Sequence, residues 1–283
     1  MSDHFTMCKL CDDGGVRALY RTPVPVIDQA LIGRITKAFQ LEGKPKDSGS
    51  RIVVQDRSAV LEIFDASGSI WWTRNVRRRS EPSKSATFPS EREAIAKANA
   101  HLKALGLADT RAKPVSVEYT ETMYEKDTEK EPVKATTDQH VNYHFTLDDL
   151  PVWGPGAKMQ VTFGYDLAVT EVLKFWREPK KERTTIEFMP AKMAVEIFRN
   201  HEAFSDLSDR TAKVVVDDIA VGYYTLPPRE IQACLIPVYR FKGSVSTQHL
   251  ERYEFTKHVI AVEITADLLK LTGGGITGSP PVI

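Results

Sequence analysis

Cysteine is scarce in this chain. Cys8, Cys11 and Cys234 are the only three in 283 residues, too few for a disulfide framework, so the expected setting is a reducing cytoplasm. No run approaches the roughly 18 uninterrupted apolar residues a membrane helix requires, and the opening MSDHFTMCKLCDDGG has no basic segment followed by an apolar one. The expectation is a soluble protein with no membrane partner. An excess of either charge is missing too: 38 basic residues cancel 38 acidic ones, which argues against nucleic acid or an anionic membrane as the partner of the whole surface. There is no G-x-S-x-G, no H-E-x-x-H and no phosphate-cradling glycine loop; Thr272-Gly273-Gly274-Gly275 has no following lysine and reads as tail.

What is present is alternation. Val141, Tyr143 and Phe145 alternate with Asn142, His144 and Thr146, the Leu150 to Gly156 stretch LPVWGPG interrupts, and Met159, Val161 and Phe163 resume. Two strands joined as a hairpin follow from that period. The stretch Ile219 to Gly243, broken by Pro227-Pro228, follows the same logic, with Ile231, Ala233 and Leu235 on one side of a returning strand. Three helices punctuate the strands. The first carries Ile27, Leu31 and Ile35; the second opens on Ser90-Glu91-Arg92-Glu93, a capping box; the third starts at Pro190 with Met193, Ala194, Ile197 and Phe198.

The order of one helix and then several strands occurs three times. This divides the chain into an irregular arm (1–24), a first helix-plus-strands unit (25–76), a basic linker (77–88), a second unit (89–178), a third unit (179–268) and a flexible tail (269–283). The expected fold class is α+β, in tandem units that each lay a helix on a short antiparallel sheet.

Several groups could carry chemistry. Cys8-Lys9-Leu10-Cys11 with His4 supplies three ligands of a tetrahedral zinc site but lacks a fourth, so inert thiols are expected, with zinc and a redox dithiol as alternatives. His140 and His144 point to one strand face, and with Asp148 or Asp149 they are the candidates for an acid/base or metal site. Four residues along a strand separate them by roughly 13 Å, too far to share one ion. Asp148-Asp149 equally suits a turn. Trp71-Trp72 and Tyr223-Tyr224 place one ring on each face of a strand, so one of each pair is expected on an interaction surface together with Trp153. Arg77, Arg78 and Arg79 beside Trp71 and Trp72 could meet phosphate, but a solvated linker is the plainer reading.

The stretch SEREAIAKANAHLKALGL followed by extended segments resembles a PepSY-type unit, and LPVWGPGAKMQVTF, with GYY and LIPVYRF after it, resembles PepSY-like regulators of the YycH/YycI kind. The resemblance implies tandem α+β units and a non-catalytic role: such domains inhibit proteases from within propeptides or restrain sensor kinases. The function expected is therefore that of a non-enzymatic module binding another protein through sheet faces or edges, without a cofactor. The alternatives are an enzyme with a site between units at His140, His144 and Asp148 or Asp149, and a structural subunit of a larger assembly. Homo-oligomer formation is left open.

Overall fold

The computed structural model describes residues 5–7, 14–74, 87–124, 133–200, 212–247 and 252–262. In chain order these form β1 (Phe5–Met7), β2 (Gly15–Arg21), α1 (Gln29–Ala38), β3 (Lys46–Asp47), β4 (Arg51–Gln55), β5 (Ala59–Phe64), β6 (Ile70–Arg74), α2 (Glu91–Ala104), β7 (Ala112–Tyr124), β8 (Val133–Leu147), β9 (Leu150–Trp153), β10 (Lys158–Gly164), β11 (Val169–Phe175), β12 (Lys180–Phe188), α3 (Ala191–Asn200), β13 (Lys213–Tyr224), β14 (Ile236–Ser246) and β15 (Tyr253–Ile260). Among the described residues no helix is long and apolar enough to cross a membrane.

Thirteen of the strands form one sheet; β2 and β12 pair separately. This corrects the expected α+β class with tandem units. A single sheet runs through residues assigned to all three units, because β6 pairs with β11, about a hundred residues later, and β9 pairs with β13. Alternation specifies that a segment is a strand and which face it buries, but not its neighbour, and the apolar rows here close across the supposed boundaries. Pairing is antiparallel except at β1–β13 and β9–β13, which are parallel. Part of the expected irregular arm is strand as well: Leu19 and Tyr20 are buried in β2, which pairs with β12.

The sheet divides at one point. Phe145 and Tyr143 of β8 pair with β7 on one side, so β9 and β10, which pair with the same stretch of β8, both lie on the other. They are one returning leg, opened at Gly154–Ala157. Beyond that opening β9 leads to β13, β14 and β15, while β10 leads to β11, β6, β5, β4 and β3.

One face is mainly apolar, with Gln139 and Lys174 as polar exceptions. Val54, Leu61, Trp72, Val172, Val161 and Val141 form a buried row across six strands. The helices pack there. Phe39, which caps the C-terminus of α1, stacks on Trp72 at 5.2 Å. In α2, Ala94, Ala98 and Leu102 are buried, and Asn99 accepts from the Tyr143 hydroxyl at 2.9 Å. In α3, Phe198 stacks on Phe241 at 4.4 Å. The β2–β12 ribbon covers the same face through Tyr20, set edge-on to Tyr223 at 5.3 Å. The α2 capping box forms as expected, Ser90 Oγ accepting from the Glu93 amide and the Glu93 carboxylate accepting from the Ser90 amide. The strand expected from Ile231 begins only at Ile236; Ile231 is exposed, and 233–235 bond to the end of β2 instead, Leu235 donating to the Tyr20 carbonyl and Ala233 accepting from the Thr22 amide, both at 2.9 Å.

Candidate binding face

The second face of the sheet carries the alternate residues of the same strands, and its rows mix polar and aromatic side chains with a few aliphatic ones, Val53, Val60 and Leu173. On the β10 branch the side chains are joined in a chain. His140 lies 2.7 Å from Thr120 Oγ1 through Nε2 and 3.0 Å from Thr162 Oγ1 through Nδ1. Thr162 donates to Glu171 at 3.4 Å, and Trp71 Nε1 donates to the other Glu171 oxygen at 2.5 Å. A parallel chain runs from Gln160 to Asn142 at 2.7 Å and from Asn142 to Ser116 at 3.1 Å. Half-buried polar groups on a sheet need partners, and here cross-strand neighbours supply them.

On the β13 branch the face changes character. Trp153 lies across β13 at Gly222, where an added Cβ would come within 2.8 Å of Cζ3 of the indole. The Arg240 guanidinium stands 4.5 Å over the Trp153 ring, a cation–π contact, and donates to Asp218 at 2.6 Å. His258, the cross-strand partner of Arg240, meets Tyr224 edge-on at 4.9 Å and Trp153 at 5.8 Å. Burial first, and then the Arg240 charge, push the His258 imidazole down to about 4, so it is neutral at physiological pH. His144 is lowered in the same direction, by desolvation and then by Lys242 and Arg240.

A buried polar knot holds this branch in place. Arg177, 2% exposed, donates through Nη1 to Thr225 Oγ1 at 3.0 Å and to the Leu226 carbonyl at 2.7 Å, and through Nη2 to the carbonyls of Pro227, at 2.6 Å, and Glu230. Desolvation lowers its pKa to about 10, which still leaves it charged. The Gln232 side chain accepts from the Leu226 amide at 2.9 Å and donates to the Tyr224 carbonyl at 3.1 Å. Tyr224 is thereby fixed at the end of β13. Arg177, Gln232, Gly222, Arg240 and His258 were not singled out by sequence reasoning. A lone arginine in FWRE reads as surface, and only tertiary contact shows that it is buried among carbonyls.

The sequence candidates fall as follows. His140 and His144 share the second face, each within its own set of neighbours. Asp148 and Asp149 form the β8–β9 turn, both with positive φ, and Asp148 accepts from Lys181 at 2.7 Å and from Tyr20. Trp71, Trp153 and Tyr224 lie on the second face, whereas Trp72 and Tyr223 are buried in the first, the Tyr223 hydroxyl donating to the Ala18 carbonyl at 2.7 Å. His4, Cys8, Cys11, Arg77, Arg78 and Arg79 lie outside the described residues. Among the described residues no group of three His, Cys, Asp or Glu side chains is disposed to hold a metal ion. A shallow cleft of about 570 Å³ beside α1, lined by Ile32, Thr36, Lys37 and Leu41, shares no residue with the second face.

No protein-family model matches the chain, and no curated protein matches it. Among solved structures it is similar to an uncharacterized protein from Eubacterium rectale ATCC 33656, at 10% identity, with 89% of this chain and 84% of that chain covered and a TM-score of 0.49.

Proposed function

We propose that the protein is a non-enzymatic binding module whose working surface is the second face of its large sheet, and that its partner is another protein. The observation that carries this reading is the Trp153–Tyr224–Arg240–His258 cluster: aromatic rings and an arginine, half-buried and held in place from beneath, are the residue types that anchor protein interfaces. His140 is bonded to Thr120 and Thr162, and Asp148 to Lys181, so the two candidate acid/base groups are engaged with different neighbours.

Strand addition at an edge is the less favoured mode. The outer side of β7 is broken by Pro114 and by bulges at Pro114/Ser116 and Thr120/Glu121, and it exposes Glu118 and Glu121; β15 exposes Glu254. Such features blunt an edge against pairing.

A photo-crosslinking side chain placed at Tyr224, with Met193 on α3 as the control position, tests the reading. A discrete adduct from Tyr224, absent from Met193 and competed away by unlabelled wild type but not by unlabelled Trp153→Ala, is expected. Equal capture from both positions would remove the proposal, as would catalytic turnover lost on replacing His140 or His144.

A further inference from the structure

The Arg240 ion pair is lopsided. The Arg240 side chain is 17% exposed, whereas that of Asp218 is 47% exposed and reaches Nη2 alone. Arg240 Nε is buried and has no hydrogen-bond partner among the described residues, and the same holds for Nε2 of His258, its partner across β14–β15. Two buried polar atoms without partners, on paired residues of adjacent strands, carry a desolvation cost that a bound group would relieve. The free edge of a guanidinium fits a carboxylate, which can take Nε and Nη2 together as a fork, while Asp218 satisfies only half of it. The charge around the site suits an anion: Lys242 pairs across from Asp218, and Lys113 pairs across from His144 on the same face. Trp153 and Tyr224 wall the position with apolar surface.

We infer that Arg240 anchors a carboxylate side chain from an acidic segment of the partner protein, and that Asp218 holds that place until the partner displaces it. A carboxylate is favoured over a phosphate because one already occupies the outer Nη2 and because a single guanidinium, flanked by a neutral imidazole, matches one negative charge. This inference rests on the second face being the working surface, and it adds the chemistry of the partner. Because Nε is buried, the incoming carboxylate reaches it only as the Asp218 side chain withdraws, an exchange of side chains that leaves the strands in place.

The test is anisotropy titration of the full chain against fluorescein-labelled poly-L-glutamate at low salt, with a single-stranded oligonucleotide and inorganic phosphate as competitors. Saturable binding is expected, about tenfold weaker in Arg240→Lys, which keeps the charge but loses the fork. Asp218→Asn is expected to bind several-fold more tightly than wild type, while Asp217→Asn, the same charge change one residue away, is not. Thermal melting confirms that each variant is folded; should Arg240→Lys fail to fold, the contrast between the two aspartate variants decides. Absence of saturable binding, equal effects at Asp217 and Asp218, or displacement by the oligonucleotide or phosphate in preference to unlabelled poly-L-glutamate would overturn the inference. Failure here with crosslinking from Tyr224 intact would remove the carboxylate anchor and leave the binding face standing; loss of both would remove the face.

Discussion

Arg177 packs directly against Gly156: a Cβ at Gly156 would stand 2.6 Å from Nη1 and 2.2 Å from the Leu226 carbonyl oxygen. The opening between β9 and β10 exists in this form because residue 156 has no side chain, and the guanidinium fills the space with four hydrogen-bond acceptors around it. Gly156→Ala is therefore expected to destabilise the protein by about 2 to 4 kcal/mol, since neither backbone nor buried cation can retreat. Arg177→Met, which leaves those carbonyls without donors, is expected to cost about 3 to 5 kcal/mol. Urea denaturation of each variant checks both values, and a midpoint unchanged from wild type in either would show that the knot contributes nothing.

The β8–β9 turn should be improvable. Leu147 pairs with Leu150, so Asp148 and Asp149 are a two-residue loop, and their φ values of 47° and 64° are those of a type I′ turn. Aspartate is accepted at the first position, but glycine is preferred at the second, where a Cβ is strained. Asp149→Gly is expected to stabilise the fold by about 0.5 to 1 kcal/mol, and Asp149→Ala is not. Differential scanning calorimetry on the pair reads this as a rise in Tm for glycine alone.

The α2 cap offers a local test. Ser90 and Glu93 satisfy each other's backbone amides at an exposed helix start. Ser90→Ala is expected to cost about 1 kcal/mol, and Ser90→Asp to retain most of the stability. Equal losses in the two variants would mean that the cap does not hold this helix.

Stability should fall in mild acid, in part through His258. Its folded pKa of about 4 lies below the ordinary 6.5, so between those values the unfolded chain binds a proton that the folded one does not. The stabilisation is complete above pH 6.5 and is lost as the pH drops towards 4, with a size of about 2 to 3 kcal/mol after allowing for partial exposure. His101 and His144 are shifted in the same direction, so wild type retains a slope from them as well. Comparison of urea midpoints at pH 4.5 and 7.5 should show a smaller difference in His258→Gln than in wild type; an equal difference would assign the slope to other groups.

Local order was legible because its causes are local. The Ser90–Glu93 box, the proline before α3, the Asp148-Asp149 turn and the alternation of Val141, Tyr143 and Phe145 each act within a few residues, and each is found in the structure. Adjacent rings in Trp71-Trp72 and Tyr223-Tyr224 had to face opposite ways, and in each pair one is buried and one faces the second surface.

What only tertiary structure decided is which strands meet. A three-fold order of helix and strands read as three units, yet the apolar rows join β6 to β11 and β9 to β13, because burying one continuous face removes more apolar surface from water than closing three small sheets. The β9–β13 pairing laid Trp153 over Gly222, the β14–β15 pairing set His258 beside Arg240, and the 225–230 segment enclosed Arg177 in carbonyls. Nothing within a few residues of any of them signals that position, since the contacts that create it come from segments tens of residues away.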